Sequence, residues 1–110
     1  MKVFISQPMI GKTDEEILAE RNDAYRLIKY TIPDAELIDT FISEQIDEKH
    51  GGLKYLAKSI KMLDEADGIW MLKDWQTARG CKIEHECAIA YGIPVYYLKG
   101  RKTNANNVYK

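Results

Sequence analysis

Four short apolar segments alternate along the chain with stretches long enough to form a helix. The apolar segments lie at Lys2 to Ser6, Ala35 to Ile38, Asp67 to Leu72 and Pro94 to Leu98. Parallel strands must be joined by a crossover of a dozen or more residues, which is usually a helix. The alternation therefore predicts a βαβαβαβ chain with a parallel sheet of about four strands.

The helices are predicted by apolar residues at helical intervals. The first also has the capping-box spacing at Thr13 and Glu16, and it is expected to end before Pro33. The last should follow a polar loop that ends at Gly80. The predicted helices run from Thr13 to about Tyr30, from Leu53 to about Glu65, and from about Cys81 onward.

These elements predict an α/β fold, a small three-layer sandwich of the flavodoxin-like or Rossmann-like type. The domain is expected to span residues 1–99. Residues 100–110 are polar and lack periodicity, so they are expected to form a C-terminal tail. The stretch from Asp39 to Gly52 is predicted to be a polar connection.

Charge and hydropathy exclude several classes of function. The 110 residues carry 17 acidic and 16 basic side chains, so the positive field that attracts long nucleic acids or anionic membranes is missing. The N-terminus has too few consecutive apolar residues for a signal peptide, and no segment reaches membrane-spanning length. We therefore expect a cytoplasmic protein whose partner is a small molecule or another protein.

A single carboxylate, Glu84, stands near the start of the last predicted helix. In an open α/β sheet the strand-to-helix loops border the crevice where ligands bind. An interaction with the helix dipole explains this position at least as well from spacing alone. Projection at 100° per residue points His85 to solvent and puts Glu84 at the rim of the predicted buried face, formed by Ile83, Cys87, Ala90 and Tyr91.

The two cysteines predict neither a disulfide nor a metal site. Cys81 and Cys87 are six residues apart on the last predicted helix, which rotates them about 120° from each other. His85 is one turn from Cys81, but no fourth ligand stands at zinc spacing. We expect no metal and no cofactor.

The first predicted loop has features of an anion site. Gly11-Lys12-Thr13 is similar to the end of a phosphate loop, but Ser6 stands where that motif requires its earlier glycine. Exposed amides and Lys12 can still hold a phosphate, or the loop is an ordinary capped connection. Among the aromatic residues, Trp75 can stack on a nucleobase or close the core, and Trp70 is predicted to be core.

Three blocks, in this order and spacing, resemble the nucleoside 2-deoxyribosyltransferase-like superfamily, most closely its small, often phage-encoded branch. They are Val3-Phe-Ile-Ser-Gln-Pro-Met-Ile-Gly11, Ala66-Asp67-Gly-Ile-Trp-Met71, and the spaced series Gly80, Glu84, Ala88, Gly92, Pro94 and Val95. The resemblance covers about residues 1–98. It implies a nucleoside or nucleotide substrate and a homo-oligomer in which a neighbouring subunit completes the site.

The resemblance also implies roles for individual residues. Glu84 corresponds to the glutamate that attacks the anomeric carbon and forms a glycosyl ester, which water or a second base resolves. By position rather than by the resemblance, Asp74, the nearest other carboxylate in the preceding loop, is either the candidate general acid or a solvated loop residue. The expected substrate-binding residues are Ser6, Gln7, Pro8, Met9, Gly11, Lys12, Ser59, Trp75, Arg79 and Gly80.

Two substitutions leave an alternative open. Ala78 and Ser59 stand where the characterised transferases of the superfamily have aspartates. Neither side chain can act as an acid. This favours, as the alternative to an enzyme, a nucleotide-binding or sensing module that has kept the crevice and lost the chemistry.

Overall fold

The computed structural model of the protein describes residues 1–40 and 52–98. The predicted tail at 100–110 and most of the connection between Asp39 and Gly52 lie outside these residues. No helix in the described part combines the length and the apolar character needed to cross a bilayer. The elements are β1 (Lys2–Ser6), α1 (Asp14–Thr31), β2 (Glu36–Leu37), α2 (Leu53–Leu63), β3 (Gly68–Met71), a 3₁₀-helix (Trp75–Thr77), α3 (Arg79–Ala90) and β4 (Val95–Tyr97).

The four strands form one parallel sheet in the order β2-β1-β3-β4. From β1 the chain passes through α1 to β2 at one edge, whereas from β3 it passes through α3 to β4 at the other. The direction of winding therefore reverses between β1 and β3, and a ligand-binding crevice is expected beyond their carboxyl ends. The predicted small flavodoxin-like sandwich is confirmed.

The side chains of β1 alternate between two cores, one on each face of the sheet. Val3 and Ile5 pack with Ala24 and Ile28 of α1. On the opposite face, the core combines residues of β1, α2, β3 and α3: Phe4, Leu63, Ile69, Met71, Cys81 and Ala88. Helix α1 therefore covers one face, and α2 and α3 cover the other. Trp70 is 1% exposed in the α1-side core, which confirms the prediction for it.

The first helix begins where its capping box predicts. The Thr13 hydroxyl accepts a hydrogen bond from the Glu16 amide at 3.1 Å, and the Glu16 carboxylate accepts one from the Thr13 amide at 2.9 Å. The helix then continues to Thr31, one residue beyond the predicted end. Together the two bonds satisfy amides that the first turn leaves without helical partners.

Other boundaries differ from the prediction by one or two residues, and the largest consequence is at the start of α3. This helix begins at Arg79 rather than Cys81, so Gly80 lies inside its first turn. The preceding polar loop contains the 3₁₀-helix, which shortens the connection from β3. Glu84 is consequently further along α3 than the sequence predicted.

Gly68 permits the close stacking of two aromatic rings, and a side chain there should destabilise the fold. A Cβ on Gly68 would lie 2.8 Å from the Trp70 ring and 3.1 Å from the Tyr96 ring, which are stacked at 4.6 Å. We expect Gly68→Ala to lower the free energy of unfolding by about 1–3 kcal/mol, because the buried Trp70 ring and the half-buried Tyr96 ring must shift. Urea-induced unfolding of the variant and the wild-type protein measures this difference in free energy.

Gly80→Ala is the matched control. A Cβ on Gly80 meets no atom within 4 Å, and alanine is the better helix former. This variant should be unchanged or stabilised by up to about 1 kcal/mol. Equal stability of the Gly68→Ala and wild-type proteins would contradict the predicted clash.

Candidate active site at the carboxyl end of the sheet

A short hydrogen bond joins β1 to α3 at the carboxyl end of the sheet. The hydroxyl of Ser6, the last residue of β1, donates to Oε1 of Glu84 at 2.6 Å. Both residues are buried, with Ser6 1% and Glu84 9% exposed. Ser6 and Glu84 are 78 positions apart in the sequence, and their hydrogen bond places the Glu84 carboxylate where the winding of the sheet reverses.

Glu84 lies just beyond the first turn of α3 rather than in it. It is the sixth residue of the helix, which begins at Arg79 and has no acidic residue in its first turn. The helix dipole acts mainly within the first turn. An interaction with the dipole therefore explains the position of Glu84 less well than its contact with Ser6 does.

The predicted buried face of α3 is wrong. Its buried residues are Cys81, Glu84 and Ala88, whereas Ile83 is 39% and Tyr91 is 83% exposed. The helical projection assumed that the most apolar face of α3 packs on the sheet. The helix instead presents two small side chains to the sheet, and the Ser6 hydroxyl allows the carboxylate between them to be buried with a partner.

Burial controls the ionisation of this site. It raises the pKa of Glu84 above the ordinary value of 4.5. Hydrogen bonds from Ser6 and Ser59 and the positive charge of Arg21 act in the opposite direction. Ser59 is half-buried on α2, and the Tyr55 carbonyl, at 3.2 Å, competes with Glu84 for its single hydroxyl proton.

The neighbouring Cys81 remains a thiol at neutral pH. Burial raises the pKa of Cys81 to about 11, although a hydrogen bond with Ser6 lowers it. Cys81 and Cys87 are both free cysteines. Within residues 1–40 and 52–98, no three His, Cys, Asp or Glu side chains are grouped as a metal site would require.

The loop after β1 is held by contacts within the protein. Gln7 is 4% exposed, its Oε1 accepts from Arg21 Nε at 3.0 Å, and its Nε2 donates to the Ile17 carbonyl at 3.0 Å. Lys12 Nζ contacts both carboxylate oxygens of Glu20, at 2.9 and 3.1 Å. The predicted ligand contacts of Gln7 and Lys12 therefore compete with contacts already formed.

The middle of this loop is the part that is open to solvent. Pro8 is half-buried, Met9 is 40% exposed, and Gly11 is exposed with a φ of +83°. The Lys12 amide donates to the Met9 carbonyl at 3.2 Å, which closes the turn through the glycine. Met9 and its neighbour Ile10, 90% exposed, thus form an apolar tip at the carboxyl edge.

Arg21 is the residue of this site that the sequence analysis missed. It lies on the buried face of α1 with Ile17, Ala24 and Ile28, and it is 3% exposed. Its Nη1 is 3.8 Å from the carboxylate of Asp39, which is 86% exposed. A charged residue at helical spacing within an apolar stripe is the sequence signal that identifies it.

The prediction that His85 faces solvent is wrong. His85 is half-buried, its Nε2 is 2.6 Å from the Tyr97 hydroxyl, and its ring stacks on Trp75 at 4.3 Å. Ser6, Met71 and Tyr97 are in register across the sheet, so α3 sets Glu84 beside Ser6 and His85 beside Tyr97. The His85 ring therefore covers one face of the Trp75 ring.

Asp74 is not brought into contact with Glu84. It is exposed, with a φ of +66°, and its carbonyl accepts hydrogen bonds from the amide and hydroxyl of Thr77. In the described part of the chain, no hydrogen bond or ion pair joins the two carboxylates. Arg79 is exposed and Gly80 half-buried in the first turn of α3, which directly follows this loop.

A family model described as a domain of unknown function, DUF4406, matches residues 1–97. The match covers every described element of the fold, so the chain belongs to this family. No protein of curated function matches the chain.

The raised pKa of Glu84 predicts that replacing its charge stabilises the protein. A carboxyl group that is harder to ionise in the folded than in the unfolded state lowers stability as pH rises above its unfolded-state pKa, and the loss is complete above its folded-state pKa. Glutamine is neutral and can accept the Ser6 hydrogen bond. We expect Glu84→Gln to raise the melting temperature by about 2–6 °C at pH 7.

The pH dependence and a matched control make this result specific. The advantage of Glu84→Gln should shrink as pH falls and vanish below 4.5, where the carboxyl is protonated in both states. Glu86→Gln, the same change at an exposed position of α3, should shift the melting temperature by less than about 1 °C. A Glu84→Gln protein that is less stable at pH 7 would show that the carboxylate is structural.

Proposed function

We propose that this DUF4406 domain breaks the N-glycosidic bond of a nucleoside or nucleotide, with Glu84 as the nucleophile. The observation that carries the proposal is a buried carboxylate, held by Ser6 at 2.6 Å, at the reversal of the sheet. The family description gives no activity, so the choice of reaction follows from the resemblance of three sequence blocks to the nucleoside 2-deoxyribosyltransferase-like superfamily.

The state of Glu84 suits nucleophilic attack. The hydrogen bond from Ser6 orients one oxygen, and an ionised carboxylate has about four acceptor positions, so it retains electron pairs for a reacting carbon. Burial removes the water that would otherwise solvate those electron pairs. A catalytic carboxylate with a raised pKa is a common result of such an environment.

The reaction is a double displacement. A Glu84 carboxylate oxygen forms a bond to C1′ as the bond from C1′ to the base nitrogen breaks, and the electron pair of that bond leaves with the base, which takes a proton from water. Water then attacks C1′ and gives up a proton to the solvent, the ester bond breaks, and its electron pair returns to Glu84. When a second base attacks in place of water, the sugar is transferred instead of hydrolysed.

The choice between transfer and hydrolysis depends on access of water to the ester. The apolar tip formed by Met9 and Ile10 stands at the carboxyl edge, where it can cover a bound base. A homo-oligomer, which the resemblance implies, would add further cover from a neighbouring subunit.

A second candidate is a nucleotide-binding module that does not cleave its ligand. The groups that act on Glu84 in the described residues are two hydroxyls and a cation, and Asp74 lies apart from them. Without a second acid in contact, protonation of the base falls to water. This arrangement favours binding without rapid turnover.

Base release and exchange test the proposal. Wild-type protein is incubated with deoxynucleosides and deoxynucleoside monophosphates, with and without a free acceptor base, and products are separated by chromatography. We expect Glu84→Gln to lower the rate at least about 10³-fold, as loss of a nucleophile does, and Glu86→Gln to retain activity. The wild-type rate should fall as pH drops through the raised pKa of Glu84, because the protonated carboxyl cannot attack.

Two outcomes would overturn this assignment. Full activity of Glu84→Gln would exclude Glu84 as the nucleophile. Saturable stabilisation of the wild-type protein by a nucleotide, without base release under any condition, would assign the binding module instead.

A further inference from the structure

We propose that His85 is a second ligand-binding residue of the site, and that its Nδ1–H group donates a hydrogen bond to the base of a bound nucleoside or nucleotide. Tyr97 positions the imidazole ring for this role. The identity of the ligand rests on the proposed function. The state of the His85 ring does not, and it can be measured without any ligand.

The contact between His85 and Tyr97 lies at the same level of the sheet as the contact between Ser6 and Glu84. Ser6, Met71 and Tyr97 are in register on neighbouring strands, and their side chains lie on the face that α3 covers. Ser6 and Tyr97 are two strand spacings apart, which is roughly 10 Å. This separation is comparable to the length of a nucleoside.

Helix α3 directs Glu84 and His85 to opposite sides of the end of β3. The two residues are consecutive, so their side chains leave the helix about 100° apart. One reaches the end of β1 and the other the end of β4. Strand β3 lies between these two strands, and Met71 at its end is fully buried. A ligand whose sugar lies at Glu84 can therefore extend its base across the end of β3 to His85.

The length of the hydrogen bond between His85 and Tyr97 assigns its donor. His85 Nε2 is 2.6 Å from the Tyr97 hydroxyl. Hydroxyl donors usually form bonds of about 2.5–3.0 Å, whereas N–H donors form bonds of about 2.7–3.2 Å. The Tyr97 hydroxyl is therefore the donor and Nε2 the acceptor. In a neutral imidazole one nitrogen accepts and the other carries the proton, which places the proton of His85 on Nδ1.

Nδ1 of His85 is accessible to a ligand. It makes no hydrogen bond to residues 1–40 or 52–98 and is not enclosed by them. The Trp75 ring stacks on the imidazole at 4.3 Å, which covers a face of the ring, whereas a hydrogen bond from Nδ1 forms in the plane of the ring. Trp75 and Tyr97 together hold the imidazole in one orientation, so the donor is in place before a ligand binds.

A fixed N–H donor suits the chemistry of a departing base. The nucleobases carry ring nitrogens or carbonyl oxygens that accept hydrogen bonds. When the bond from C1′ to the base breaks, its electron pair stays with the base, and a donor at one of these acceptors stabilises the negative charge. His85 thus assists departure without giving up its own proton, and the base still takes a proton from water.

Nitrogen-15 NMR of histidine-labelled protein measures the tautomer, because protonated and unprotonated imidazole nitrogens have different chemical shifts. The chain has two histidines, so the signals lost in His85→Gln or in His50→Gln assign both. Above the pH range in which histidine ordinarily titrates, we expect His85 to be protonated at Nδ1 and unprotonated at Nε2. Tyr97→Phe should move the proton partly to Nε2. Tyr91→Phe, the same change at an 83% exposed position, should leave the signals unchanged.

The same signals test the contact with a ligand. The Glu84→Gln protein, which lacks the proposed nucleophile, is titrated with each of the four common deoxynucleoside monophosphates. We expect at least one of them to bind saturably and to shift the Nδ1 signal of His85.

Two variants of His85 form a matched pair for binding. Counted in bonds from the backbone, the amide nitrogen of asparagine takes the place of Nδ1, and that of glutamine takes the place of Nε2. We expect His85→Gln to weaken nucleotide binding by about 3- to 10-fold, as loss of one hydrogen bond does, and His85→Asn to retain most of the affinity. Calorimetric titration measures both.

Three results would each overturn the inference: a His85 proton on Nε2 in the wild-type protein, an Nδ1 signal that none of the four nucleotides shifts, or equal losses of affinity in His85→Asn and His85→Gln. These results are distinct from failure of the proposed function. A protein whose Nδ1 signal shifts but that releases no base would contradict the reaction and support the role of His85. A protein that releases bases with an unshifted Nδ1 signal would do the reverse.

Discussion

The burial of one carboxylate against one hydroxyl, Glu84 against Ser6, is the interaction on which the rest of the site depends. It spans the point where α1 and α3 leave the sheet on opposite faces, and it joins the end of β1 to the second turn of α3. Cys81 and Ala88 allow α3 to approach the sheet closely enough for this contact. The hydroxyl lowers the cost of burying the carboxylate, and Arg21 lowers it further.

A domain of this size has few buried contacts to offset such a group, since a small core leaves a narrow margin of stability. The polar residues at the carboxyl edge are therefore connected rather than isolated. Arg21 contacts Gln7, Gln7 contacts the backbone of α1, and Lys12 contacts Glu20. On the other side of Glu84, His85 and Tyr97 form a second short contact with the sheet. Proteins tend to keep such costly groups where activity requires them.

The sequence predicted the fold well because its signals are local. The β-rich run from Lys2 to Ser6, the capping box at Thr13 and the apolar stripe of α2 each specify an element through nearby residues. It singled out Glu84 as a candidate site residue but did not predict its surroundings. The orientation of α3 depends on which side chains meet the sheet, and Arg21 is recognised only when its distance from Gln7 is known. His85 was misplaced for the same reason, because Trp75 and Tyr97 reach it from two other elements.

Covalent trapping tests the role of Glu84 most directly. A nucleotide whose sugar carries fluorine at C2′ disfavours the oxocarbenium-like transition state, so the glycosyl ester persists long enough to be detected by mass spectrometry. Trypsin should release the segment from Ile83 to Lys99. We expect it to carry one fluorosugar, located at Glu84 by fragmentation and absent from the Glu84→Gln protein. An adduct at another residue, or no adduct on folded protein at saturating nucleotide, would contradict a nucleophilic Glu84.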